Sequence, residues 1–173
     1  AFPSLRADSK VILPKAITLN SETGICVPSS SLEFSQPICG PGKLIKSGSG
    51  VLVLSGANIY TGGTKIEAGI LKASTNSLPG EVLNEGELVF DQQQDGTFNH
   101  PISGSGKLTK IGPATLTLNG ENSYEGPTQI NEGVLKITHA KSLGSLNSSI
   151  FFNGGSLEIC EVSHIPLNIH LED

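Results

Sequence analysis

The stretch from Gly40 to Lys72 returns further along the chain as Gly104 to Lys136, an offset of 64. Within the two copies Gly48, Leu52, Leu54, Gly56, Asn58, Tyr60, Gly62, Thr64, Ile66 and Gly69 reappear as Gly112, Leu116, Leu118, Gly120, Asn122, Tyr124, Gly126, Thr128, Ile130 and Gly133. Chance does not leave that much agreement in short segments. The chain is a repeat protein, and its fold must let a unit of this size stack on itself.

Comparing the copies assigns faces. In Val51-Leu52-Val53-Leu54 the leucines stand two apart and point to one side of an extended strand. The second copy reads Thr115-Leu116-Thr117-Leu118. The leucines are kept and the valines become threonines, so the leucines face in and the Val/Thr positions face out. Gly- and Asn-rich turns break the strands at short intervals, and Gly or Pro interrupts almost every window long enough to nucleate a helix.

The reading is therefore all-β, a parallel β-helix with three short strands per coil. The period divides into three coils of about 21 residues, each inward side chain sitting over its equivalent below. About eight coils at roughly 4.8 Å make a rod about 38 Å long. An antiparallel sandwich is the competing all-β arrangement, and the long direct repeat argues against it. The inward column is assigned to Leu44, Leu52, Leu54, Ile66, Leu71, Leu88, Leu108, Leu116, Leu118, Ile130, Leu135 and Leu157. Turns fall at Gly56, Asn58, Gly62, Gly69, Gly120, Asn122, Gly126 and Gly133. One β-helical segment, 1–173, is expected, divided into 1–39 as the end of a preceding repeat, 40–103 as a repeat, and 104–173 as a repeat running onward. Opening and stopping partway through repeats, the chain reads as an excised fragment.

Composition narrows the function. A 36% hydrophobic and 5% aromatic content suits a narrow aliphatic column better than a thick sandwich core. The net charge of −5, with no basic cluster, disfavours nucleic acid as a partner. No apolar run approaches membrane-spanning length.

Two corners vary in length. After Leu32-Glu33-Phe34, Leu88-Val89-Phe90 and Leu157-Glu158-Ile159 the chain reaches Pro37, Pro101 and Pro166 at different intervals, the longest holding Asp91 to Thr97. Asn84-Glu85-Gly86 and Asn153-Gly154-Gly155 precede two of these strands, and their glycines are read as positive-φ turn residues. The other variable corner holds Ser77-Leu78 in one copy and Ser142-Leu143 in the next, read as a serine-capped turn with the leucine tucked under the coil. Variable corners on a repeat scaffold are where binding is expected.

The wording Gly-x-Gly-x-Leu-x-Lys-x-Gly-x-Gly-x-Leu-x-Leu-x-Gly-x-Asn-x-Tyr-x-Gly-Gly-Thr-x-Ile-x-x-Gly-x-Leu, from Gly40 to Leu71, resembles the autotransporter-associated β-strand repeat, also called the passenger-associated transport repeat. The second copy departs at Ala114 and Pro127, where the first has Gly50 and Gly63. The resemblance implies a right-handed parallel β-helical passenger of a type V secreted protein. Such a passenger is exported through the periplasm, carried to the bacterial surface by a C-terminal translocator β-barrel, and aided in folding and transport by the repeat. The functional expectation is a non-enzymatic structural segment whose partners are neighbouring coils and that barrel, with no cofactor. The alternative is an adhesin or host receptor- or glycan-binding module using the variable corners, and a polysaccharide-acting β-helical enzyme comes after it.

Asp91, Gln93, Asp95 and His100 form the candidate binding loop. Two carboxylates four apart could hold Ca²⁺, but the glutamines between them are weak ligands, and no metal or catalytic site is assigned. His100 recurs as His164 beside a proline, a corner-packing position more than a pH sensor. Asn58-x-Tyr60 and Asn122-x-Tyr124 are read as structural turns in preference to a sugar-binding aromatic patch. Cys26 and Cys39 can close a loop as a disulfide, with buried thiols as the alternative.

Overall fold

A computed structural model describes residues 3–160 and, as backbone strand alone, 168–171. Short strands follow one another around a three-sided coil. The first coil holds β1 (Ser4–Arg6), β2 (Val11–Leu13) and β3 (Ile17–Thr18), and the second β4 (Thr23–Cys26), β5 (Ser31–Phe34) and β6 (Ile38–Cys39). The third and fourth have strands on two sides only: β7 (Leu44–Ser47) with β8 (Val51–Leu54), then β9 (Thr64–Ile66) with β10 (Ile70–Ala73). The fifth is complete, with β11 (Val82–Asn84), β12 (Glu87–Asp91) and β13 (Gly96–Phe98). So is the sixth, with β14 (Ile102–Ser103), β15 (Lys107–Ile111) and β16 (Thr115–Leu118). Then come β17 (Thr128–Ile130), β18 (Val134–Ile137), β19 (Ser149–Phe152), β20 (Ser156–Ile159) and β21 (Asn168–Leu171). The one helical element among the described residues is a 3₁₀ turn at Ala140–Leu143.

Every ladder among the described residues is parallel. The first face is β1-β4-β7-β9-β11-β14, and the second is the nine-stranded β2-β5-β8-β10-β12-β15-β17-β19-β21. The third comprises β3-β6 and β13-β16-β18-β20. Nine stacked strands on the second face make a solenoid of about eight turns, as expected from the sequence. Alternation along each strand buries one side: in β8 and β16 the leucines are sealed and the Val/Thr positions half-exposed. Eleven of the twelve expected column residues are buried. Leu157 is half-buried; it lies on β20, the end strand of its sheet among the described residues.

The phase of the repeat differs from the expectation. On the first face Ile45 registers with Lys65, Lys65 with Leu83 and Leu83 with Ser103, so three coils advance the numbering by 103 − 45 = 58. A period of 64 exceeds that by six, the step from one face to the next. Hence β7 and β8 lie on the first and second faces, while their counterparts β15 and β16 lie on the second and third. Leu52 stacks between Leu32 and Leu71, not over its repeat equivalent. Each repeat is turned one face around the axis relative to the last.

The column is also less aliphatic than composition implied. Phe34, Phe90, Phe98, Tyr60 and Tyr124 are buried in it, and so are Lys46 and Lys110.

Candidate functional site

The corners carry the polar chemistry, and the two repeats build them identically. Lys46 stands two residues after inward-facing Leu44, so the pleat turns it inward, stacked between Ile25 and Ile66. Its ammonium donates to the carbonyl oxygens of Ser47 (2.9 Å), Gly48 (2.7 Å) and Ala68 (3.0 Å). Lys110 repeats this one face further round, donating to Ile111 (2.9 Å), Gly112 (2.7 Å) and Glu132 (3.1 Å). All three donors are used, and each lysine ties its own turn to the turn of the next coil. Burial pulls both ammonium groups below the ordinary lysine value, opposed by Cys26 at Lys46 and by Glu132 and Asp91 at Lys110. Gly69 closes the first corner at φ +70°, where a Cβ would lie 2.6 Å from the Gly50 carbonyl oxygen and 2.9 Å from the Lys46 Nζ. The sequence reading gave these lysines no role. Their signal was the same two-residue spacing that placed the leucines, combined with recurrence at 64.

At a second corner Asn58 spans three coils. Its Oδ1 accepts from Ile38 N–H (2.8 Å) and its Nδ2 donates to the Ser77 carbonyl (2.6 Å). Asn122 does the same between Ile102 (2.8 Å) and Ser142 (2.6 Å). The Ser77 hydroxyl accepts from Ser74 N–H (2.8 Å) and the Ser142 hydroxyl from His139 N–H (3.3 Å), with Leu78 and Leu143 buried beneath. The tyrosines are enclosed too, Tyr60 hydroxyl meeting Thr64 Oγ1 at 2.7 Å and Tyr124 meeting Thr128 at 2.8 Å. Burial pushes Tyr60 up to about 12 against the Thr64 hydrogen bond, and Tyr124 higher still. Gly62 and Gly126 are demanded by proximity rather than by φ, since a Cβ on Gly62 would sit 2.5 Å from the Gly42 backbone. The same holds for Gly86, whose expected positive φ is absent; a Cβ there would meet the Gly69 carbonyl oxygen at 2.5 Å.

The candidate binding loop is dispersed. Asp91 pairs with Lys72 in the preceding coil (2.7 Å) and accepts from Gln93 Nε2 (2.6 Å), whereas Asp95 accepts the backbone N–H of Thr115 in the following coil (2.7 Å). Burial works to raise the Asp91 pKa, but Lys72 and Gln93 more than offset it and hold it below the usual value. The two carboxylates face different coils, and among the described residues no group of three or more His, Cys, Asp and Glu could hold a metal. His100 is exposed and edges onto the Phe98 ring at 5.6 Å; His164 lies outside the described residues.

Buried Gln92 pins the loop instead, accepting from Thr75 N–H (2.8 Å) and donating to Thr75 Oγ1 (3.1 Å). Beside it opens a cleft of roughly 300 Å³, lined by Val53, Leu54, Ser55, Lys72, Ala73, Ser74, Asn76, Asp91 and Gln92 to Gln94. The Cys26–Cys39 disulfide does not form. The two residues end strands on different faces of one coil and both point outward, and Cys39 Sγ lies 3.4 Å from Thr18 Oγ1.

Residues 44–73 and 108–137 each match the family model described as passenger-associated-transport-repeat. The chain carries two passenger-associated transport repeats. The matched segments contain Lys46, Asn58, Tyr60 and Gly69 and their second-copy equivalents, the residues of the corners just described. The "Adhesin BmaC autotransporter" of Brucella suis biovar 1 (strain 1330) is 37% identical over 169 residues, 86% of this chain and 5% of that protein. An "Extracellular serine protease" of Serratia marcescens is 42% identical over 72 residues, 41% of this chain and 6% of that protein. The chain thus spans about one-twentieth of the length of these curated relatives. No solved structure matches.

Proposed function

We propose that this chain is a non-enzymatic structural segment of an autotransporter passenger, supporting its folding, transport and display at the bacterial surface. One observation carries the reading: the residues that recur at 64 are used for internal stacking. Lys46, Asn58 and Tyr60 are sealed inside, and each bonds backbone or side chain of its own or an adjoining coil. A repeat selected for recognition would keep its recurring polar groups outside. Stacked coils can form one after another, each new strand pairing with the exposed edge of the last, which suits a chain leaving a translocator β-barrel.

In the full-length parent, Leu52→Asp and Leu116→Asp bury an unpaired carboxylate in the column. Surface delivery, read by antibody and protease accessibility on intact cells, should fall, with passenger accumulating in the periplasm. Gln93→Ala should leave delivery intact. Normal delivery of the leucine variants would refute the proposal.

A further inference from the structure

We propose that the cleft between the Ser74–Asn76 turn and the Gln92–Gln94 loop is a binding site for a neutral carbohydrate of one or two sugar units. The notch has a structural cause. On the second face Leu52 registers with Leu71 and Leu71 with Leu88, a shorter advance at the second step than at the first, so the fourth coil turns its corner tightly.

The Gln92–Gln94 loop is held in place at both ends, by Gln92 on Thr75 and by Asp95 on the Thr115 N–H. The loop itself is therefore held before any ligand arrives, which lowers the cost of binding. The chemistry around the pit is neutral. Lys72 and Asp91 cancel each other across 2.7 Å, leaving no uncompensated charge among the lining residues for an anion or cation. The carboxamides of exposed Asn76 and Gln94 line the cleft without a side-chain partner among the described residues, and offer both donors and acceptors. Half-exposed Val53, with Leu54 and Ala73 largely buried behind it, supplies the apolar part of the lining for the C–H face of a ring. Amides and aliphatic carbon together complement a polyol. A peptide strand is disfavoured because β8, β10 and β12 are each paired on both sides, so no free edge borders the pit. The volume is at the small end for ligand sites, which limits the occupant to one or two sugars.

The test is titration of the whole chain, labelled with ¹⁵N, with galactose, N-acetylglucosamine, lactose and chitobiose, following amide shifts. The expected result is saturable shifts confined to residues 53–55, 72–76 and 91–94, with millimolar affinity for at least one sugar. Asn76→Ala and Gln94→Ala should each weaken binding about fivefold or more, while Lys136→Ala at the corresponding place in the second repeat changes nothing. Absence of saturable shifts with every neutral sugar, in a chain whose spectrum remains folded, would overturn the proposal. Tighter binding of sialyllactose or of a peptide would overturn it equally. Either failure leaves the structural role untouched, since surface delivery reads that role separately.

Discussion

Replacing Lys46 by Met keeps the length and apolar stem of the side chain and removes only the ammonium. In water that change is close to neutral, but here the three carbonyls of Ser47, Gly48 and Ala68 lose their shared donor inside a sealed corner. Backbone carbonyls cannot be mutated away in compensation, so the apolar replacement that can relieve a buried ion pair is not open to this site. Ser47 O still accepts from Val27 N–H, so two buried carbonyls are stripped of a donor, a loss on the order of 2–4 kcal/mol. For a chain of this size that is a fall in melting temperature of roughly 4–16 °C. Lys110→Met should cost the same, because its three acceptors match in kind and distance. Lys15→Met, on the exposed surface, should stay within about 0.5 kcal/mol. Urea unfolding followed by circular dichroism measures all three. A Lys46→Met loss below about 1 kcal/mol, the ordinary worth of a single hydrogen bond, would show that the ammonium is not what holds the corner.

Further outcomes follow from the other corners. Asn58→Ala strips a buried N–H of Ile38 and a carbonyl of Ser77 of their partners, a loss on the order of 2–4 kcal/mol by urea unfolding, with Asn122→Ala equal to it. Tyr60 and Tyr124 are the two tyrosines of a chain without Trp, so tyrosinate absorbance reports them alone. Their folded-state values lie above the unfolded value of about 10, so the folded chain keeps its phenol protons and loses stability as pH rises past 10, at about 1.4 kcal/mol per pH unit per tyrosine. Phenolate should therefore emerge together with unfolding, and ionisation near pH 10 in a folded chain would contradict the burial. Asp91 behaves in the opposite sense: its value is lowered, so its contribution is present above about pH 4 and lost as pH falls through its folded value. That contribution should be under about 1 kcal/mol for a pair this close to the surface, and Asp91→Asn should flatten the acid limb of the stability curve accordingly.

How much of this was legible in the sequence depended on which rule each residue obeys. Leu52 and Leu54 betray strand and facing through alternation and through Val51 becoming Thr115, and that suffices for a parallel solenoid. Phase was hidden. The sequence prints a period of 64, while coil length is set by local turn geometry, and the short coil from Leu71 to Leu88 helps three coils fall short of a period by six. Lys46 escaped because lysine is assigned to surfaces by type, although its spacing from Leu44 turned it inward. Asp91 and Asp95 looked like a pair because they are four apart, yet one reaches down a coil and the other up. Asn58 and Tyr60 were read as structural because recurrence with the surrounding glycines tied them to the turn, and in the fold both are buried and bonded to neighbouring coils or to Thr64.

The stack itself, with each repeat turned one face from the last, is tested most directly by distances between paired spin labels in a background with Cys26, Cys39 and Cys160 replaced by Ser. Ile45 and Ser103 lie on one face three coil steps apart, about 14 Å at the parallel-strand spacing. Lys65 and Gln129 are repeat equivalents on the first and second faces. The account predicts that three-step spacing for the first pair and a clearly longer distance, around the corner of the coil, for the second. Equal distances for both pairs would mean that the repeats stack in phase, and would contradict it.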